Sequence, residues 1–271
     1  MIALAGFRAR TLIRGRATIG AALVFGVAAG LVAVVGIGSF QQLGLGAVGP
    51  AAAALVNLAL LLPTAQAVVL GAITLTADRE TGFSAMLLAR GIHPAGLVLT
   101  AWLAVTLSAW LSILLGFALA AVVVAGSVPA GDLPVFGGLI AVALAASAAA
   151  AAVGVLVGAG LTNRTQAALV GVAVWFVLAV GLDLAVIGLG AFLRFGEPVV
   201  VAAILADPLS AARVAALLLL DASAGVLGPT GTYLLERLGT GGAGLTLWSV
   251  LLAWVATPLA LAVAIVGRRD R

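Results

Sequence analysis

Between positions 78 and 94 the chain reads Asp78-Arg79-Glu80-Thr81-Gly82-Phe83-Ser84-Ala85-Met86-Leu87-Leu88-Ala89-Arg90-Gly91-Ile92-His93-Pro94, which holds four charges and the only histidine of the protein. Carboxylates, arginines and an imidazole are the groups from which acid–base catalysis or a metal site is built. Neither is completed here. His93 has no nucleophile placed with it, and no pair of carboxylates falls inside an apolar run. Cysteine is absent, which excludes disulfides, thiolate metal sites and cysteine nucleophiles. No glycine-rich phosphate loop ending in Lys-Ser or Lys-Thr occurs, so ATP hydrolysis by that machinery needs another subunit.

What the segment can do is dock. Phe83, Met86, Leu87 and Arg90 fall at i, i+3, i+4 and i+7, the spacing of one face of a short helix. Thr81 is placed to cap its start and Gly91 its end, and Arg90 suits the negative end of the helix dipole. Pro94 stops continuation and restarts the chain. A short capped helix on a polar loop fits a groove on another protein. The competing reading is an ordinary charged loop that only fixes topology.

Other polar groups are few. Asp183 is the only acid well inside an apolar run, and counting about 1.5 Å per residue from position 166 puts it in the outer half of that run. Either it serves a cavity or a partner, or it hydrogen-bonds a neighbouring helix. Asn57, Pro63 and Gln66 interrupt the second apolar run, with Pro63 expected to kink it and the amides expected to bond between helices. Gly26-xxx-Gly30 and Gly154-xxx-Gly158 fit close helix packing.

The elements that carry these residues follow from composition. With 64% apolar and 8% charged residues and a mean hydropathy of +1.33, the chain has too little polar surface for a soluble domain. Only helices and closed barrels satisfy their backbone in lipid, and these unbroken apolar runs exceed the roughly ten-residue alternating segments of barrels. The expectation is an all-α polytopic membrane protein with six transmembrane helices, at about 18–38, 51–77, 97–124, 135–161, 166–193 and 245–267. The first run is too long for a secretory signal and reads as a retained helix.

Ten of the thirteen arginines (Arg8, Arg10, Arg14, Arg16, Arg79, Arg90, Arg164, Arg268, Arg269 and Arg271) fall on one side of this arrangement. Arg194, Arg213 and Arg237 fall on the other. The positive-inside rule then places both termini in the cytoplasm and the protein in the cell membrane. Loop 78–94 is cytosolic on this scheme and loop 194–244 external. Within the external loop, Asp207-Pro208 separates two apolar stretches, each too short to span, and Arg213 lies in the second. That reads as a short re-entrant or surface helix buried against protein, with Gly225, Gly228-Pro229 and Gly239-Thr240-Gly241-Gly242 making turns before the last span. The arginines are dispersed at span edges, which argues against nucleic acid despite a pI near 11.3.

The run from Asp78 through Leu88, then Arg90-Gly91-Ile92-His93-Pro94, resembles the loop between the second and third spans of ABC-2 type permeases. The arginine-rich start from Arg8 to Arg16 is similar too. Asn163-Arg164 to Trp175-Phe176 with Asp183, Asp207-Pro208 with Ala212-Arg213, Leu220-Asp221, Gly228-Pro229-Thr230-Gly231 and Arg268-Arg269-Asp270 resemble the NosY-like branch, which serves nitrous-oxide-reductase maturation. Asp207 departs from the Asn common there. The resemblance implies an ABC-2 (type V exporter-like) permease fold in one domain over 1–271. It further implies a homodimer paired with separate cytosolic ABC ATPase subunits that bind ATP and Mg, and a place for an external binding protein. Asp78, Glu80, Gly82, Phe83, Met86, Leu87 and Arg90 would then form the coupling segment, and no cofactor is expected in this chain. Direct copper conduction is disfavoured, because Cu(I) selects soft ligands and the chain has no Cys and two Met. The alternative is a membrane scaffold that moves an external partner without flux.

Overall fold

The computed structural model describes the backbone of residues 2–42, 48–124, 133–185, 188, 197–220 and 228–269, and most of their side chains. Its elements are α1 (Ile2–Ile13), α2 (Arg16–Gln42), α3 (Val48–Glu80), α4 (Phe83–Ala89), α5 (Pro94–Val124), α6 (Leu133–Gly160), α7 (Arg164–Phe176), α8 (Glu197–Leu205), α9 (Pro208–Leu220) and α10 (Gly228–Arg269). A π-helical turn, Val177–Gly181, extends α7. No strand occurs among the described residues. Among the described residues six helices are long and apolar enough to cross a membrane, over Arg16–Val34, Ala54–Glu80, Pro94–Val122, Pro134–Gly160, Arg164–Ala185 and Leu235–Arg269, or seven if the bent pair Val199–Leu205 and Pro208–Leu220 makes one span.

In such an apolar chain, helices associate by close packing of small residues, since lipid competes equally for large apolar ones. α6 is the centre: 67% of its apolar window is buried, against 22% for α7 and 28% for α2. A Cβ on Gly154 would strike the backbone of Val68, and one on Gly158 the backbone of Ala72. Gly71 answers from α3, where a Cβ would stand 2.9 Å from the Ala151 carbonyl oxygen. The Gly154-xxx-Gly158 spacing therefore marks the closest approach of two helices. Gly26 and Gly30 face only the Leu119 side chain, at ordinary contact distances of 3.7 and 3.6 Å. Two indoles pin α5 to the same centre, Trp102 Nε1 donating to the Ala148 carbonyl at 3.0 Å and Trp110 Nε1 to the Leu144 carbonyl at 2.9 Å.

The region after α7 meets expectation at Asp207-Pro208 and departs from it at the start of the last helix. α8 and α9 form a hairpin bent by 102°, neither half spanning alone, as Asp207-Pro208 predicts. α9 is buried through Pro208, Leu209, Ser210, Ala211 and Ala212, packed against α6, α10 and α3. The turn expected at Gly228-Pro229 is instead the start of α10, where Pro suits a helix's first turn. The long helix breaks at Gly239 (φ 67°), so only this part of the glycine cluster behaves as a turn. The final span then begins at Leu235, ten residues earlier than the expected start at 245. Gly225, Arg194, Asp221 and Asp270 lie outside the described residues, as does the end of the run predicted at 166–193. α3 continues as one helix through Pro63.

Candidate functional site

The 78–94 segment closes the end of the bundle where most arginines gather. α3 stops at Glu80 because Thr81 turns back on it, its amide and its hydroxyl both donating to the Ala77 carbonyl at 3.1 and 3.0 Å. Thr81 is thus the end of α3, not the cap of α4. Gly82 occupies the N-cap position with φ 72°, a left-handed conformation that costs other residues about 1 kcal/mol. The far end of α4 is a Schellman motif: the Ile92 amide donates to the Leu87 carbonyl at 3.1 Å and the Gly91 amide to the Leu88 carbonyl at 2.9 Å. Gly91 has φ 81°, and Leu87 and Ile92 pack in one apolar cluster with Leu75 and Leu97. His93 is a helix cap, its Nδ1 accepting from the Ala95 amide at 3.2 Å at the head of α5.

The predicted face of α4 is divided. Leu87 is 6% exposed and belongs to the core, Phe83 is half-buried, and Met86 is 42% exposed with Arg90 beside it. Ala85, Met86, Ala89 and Arg90 form the outward surface. Leu87 holds the helix in place, so only part of the predicted set is free to meet a partner.

The charges at the start of the segment are engaged within the chain. Asp78 Oδ2 accepts from Arg8 Nη2 at 2.5 Å. Arg8 Nη1 also donates to the Leu97 carbonyl at 2.9 Å and Thr100 Oγ1 at 3.2 Å, and its guanidinium lies 5.9 Å from the Phe83 ring centroid. One buried arginine thereby joins α1 to α3, α4 and α5. Burial pulls the Arg8 guanidinium below its ordinary value, while the Asp78 carboxylate pulls it back up.

Arg79 and Glu80 clamp the turn between α6 and α7. Arg79 Nη1 bonds the carbonyls of Gly158, Ala159 and Leu161 at 3.0, 3.1 and 2.9 Å, and Arg269 Nη1 bonds that of Gly160 at 2.6 Å. Glu80 Oε1 accepts the Arg164 amide at 2.8 Å, next to Asn163 Oδ1, which accepts the amides of Thr165 and Gln166. Cations sit on a helix C-terminus and an anion on a helix N-terminus, the arrangement helix dipoles favour. Asp78, expected to face a partner, is half-buried in a contact within the protein instead, while Glu80 stays exposed with one carboxylate oxygen on the Arg164 amide. Their partners lie 70 and 84 positions away, and nothing local in the sequence names them.

A second polar cluster joins α7 to the bent hairpin. Asp207 caps α9, Oδ1 accepting from the Leu209 amide at 3.2 Å and Oδ2 from the Ser210 amide at 2.9 Å. Ser210 Oγ stands 2.5 Å from Asp207 Oδ2 and 3.1 Å from Asp183 Oδ1. Arg213 Nη1 pairs with Asp183 Oδ2 at 2.6 Å. Asp183, Asp207, Pro208 and Arg213 are therefore brought together. The π-turn at Val177–Gly181 precedes Asp183 and changes the helical register that delivers it, a feature with no signal in the sequence. Gln66 accepts from Ser112 Oγ at 3.0 Å and links α3 to α5, as predicted. Asn57 does not: it is exposed on α3 and has no hydrogen-bond partner among the described residues.

A cavity of about 660 Å³ opens between α1, α2, α3, α4 and the head of α7, with Arg8, Arg16, Asp78, Phe83 and Arg164 in its wall. Among the described residues no three His, Asp or Glu side chains converge as a metal-binding group. Compared with models of known protein families and with curated proteins, the chain matches none.

Proposed function

We propose that this chain is the membrane permease subunit of an ABC transporter, with α4 as the helix on which separate cytosolic ATPase subunits push. In this reading the arginine-rich end faces the cytoplasm of a cell, both termini lie there, and two copies pair to form an exporter. The observation that carries it is the build of α4: a seven-residue helix capped by two positive-φ glycines, anchored inward by Leu87 and presenting Met86 and Arg90 outward. Force on such a helix has a short path into the bundle. Arg8 and Asp78 transmit it to α1 and α5, and Arg79 and Glu80 transmit it to α6 and α7. The apolar faces of α2 and α7, exposed at Leu23, Val27, Leu31, Leu169 and Phe176, suit lipid or a second copy.

The test is co-purification. With the cognate ATPase co-expressed, Met86→Asp combined with Arg90→Glu should abolish its capture and its stimulated turnover while the melting temperature stays within a few degrees. Undiminished capture and turnover would refute the assignment.

A second reading has one observation in its favour. The hairpin of α8 and α9, buried along α9, is tied to the end of α7 by Asp183 and Arg213, so movement of α7 would move a surface at the other end of the bundle. A scaffold working on an external partner would hydrolyse ATP without flux across reconstituted vesicles, whereas a transporter gives both.

A further inference from the structure

The cavity between α1, α2, α3 and α4 has two chemically distinct halves. Leu70, Ile73, Thr74 and Ala77 line it along one face of α3, spanning about 10 Å below the charged end of that helix. Leu12 and Phe83 complete an apolar wall. At the rim stand Arg16 and Arg164, the first residues of two helices able to cross a membrane. Arg8 and Asp78 neutralise each other, which leaves these two arginines as the net charge of the lining. Both are exposed, and neither guanidinium has a hydrogen-bond or carboxylate partner among the described residues. Glu80, the nearest acid to the head of α7, is held by the Arg164 backbone amide.

A cationic rim over an apolar slot complements an anionic head joined to a hydrocarbon tail. The rim lies at the ends of the long helices, where a bilayer presents phosphates, and basic pockets between helices at that level hold acidic lipid heads. The volume suits one acyl chain and falls in the ordinary range of ligand pockets, roughly 300–1,000 Å³. We propose that this cavity binds an anionic phospholipid, its phosphate between Arg16 and Arg164 and one acyl chain against Leu70 and Ile73. Phe83 and Met86 of α4 border the same space, so the lipid touches the helix proposed to receive the ATPase. The site itself does not depend on that proposal, because lipid binding is read on the chain alone.

The test is native mass spectrometry of the purified full-length protein titrated with dioleoyl phosphatidylglycerol. Arg16→Ala with Arg164→Ala should weaken binding about 30-fold, which is about 2 kcal/mol at 1.4 kcal/mol per tenfold. Arg10→Ala with Arg14→Ala, exposed arginines outside the cavity, should weaken it less than about threefold by lost surface charge alone. Ile73→Trp, which fills the tail half and keeps both arginines, should also lose the lipid. It guards against an arginine variant that fails to fold. Dioleoyl phosphatidylcholine should bind weakly, and inorganic phosphate should not displace the acidic lipid. Equal binding of phosphatidylcholine, unchanged binding by both variants, or displacement by free phosphate would overturn the proposal. So would a dimer that excludes lipid from the cavity.

Discussion

Arg8 and Asp78 meet at 2.5 Å across 70 positions of sequence, and the arginine's other contacts make this pair the junction of α1, α3, α4 and α5. The side chains are 6% and 18% exposed. A buried pair gains little over apolar replacements, but removing one member strands the other charge. Arg8→Ala or Asp78→Ala should each cost about 3–5 kcal/mol of stability. The double variant should cost clearly less than the sum. Melting curves in detergent measure this, and additive losses would show that the pair is uncoupled.

Glu80 should act as a cap for α7. Glu80→Ala removes an anion from an exposed helix N-terminus, for an expected loss of about 0.3–1 kcal/mol. Glu80→Gln keeps an acceptor oxygen and should recover part of it. Amide hydrogen exchange at Arg164–Gln166 is the readout. If protection there is unchanged in Glu80→Ala, the contact has no role in holding the turn.

Gly154 and Gly158 should tolerate no side chain, because the obstacle is the α3 backbone, which cannot rotate away. Gly158→Val should abolish recovery of folded protein from membranes. Gly26→Ala, which meets only the far end of Leu119, should leave the yield and melting temperature nearly unchanged. Similar behaviour of the two variants would contradict the α3–α6 packing.

At Asp207 the start of α9 uses both carboxylate oxygens as acceptors. Asp207 is 1% exposed and caps α9 through two backbone amides, one on each carboxylate oxygen, so Asn would supply only one of the two acceptors. Asp207→Asn, which keeps one acceptor, should cost less than Asp207→Leu, which should lose about 1–2 kcal/mol with the whole cap. Comparative melting of the two variants separates them. A loss in Asp207→Asn as large as that in Asp207→Leu would show that a single acceptor oxygen does not hold the cap.

These contacts show which parts of the molecule the sequence announces. Hydropathy locates the long helices because each must bury or expose its apolar length over some twenty residues. Gly82, Gly91 and Pro94 announce α4, since positive φ and a missing amide leave marks on residue type. Asp78 looks available to a partner because the arginine that covers it is contributed by a distant helix. Thr81 has the chemistry of a cap, but local hydrogen bonding lets it close the helix behind it as readily as open the one ahead. The π-turn that presents Asp183 depends on backbone register, which no residue pattern records. α10 begins early because a helix can run through glycines that composition alone reads as a turn.

If the outward surface of α4 meets a cytosolic ATPase, as proposed, a photo-crosslinking amino acid on that surface should capture it. Placed at Met86 or Ala89 in the co-expressed complex, it should yield a covalent adduct with the ATPase subunit, lost when that subunit is omitted. Placed at Leu87, which points into the core, it should crosslink only within the chain. No adduct from Met86 or Ala89, with the ATPase still co-purifying, would place the contact elsewhere and rule out α4 as the docking helix.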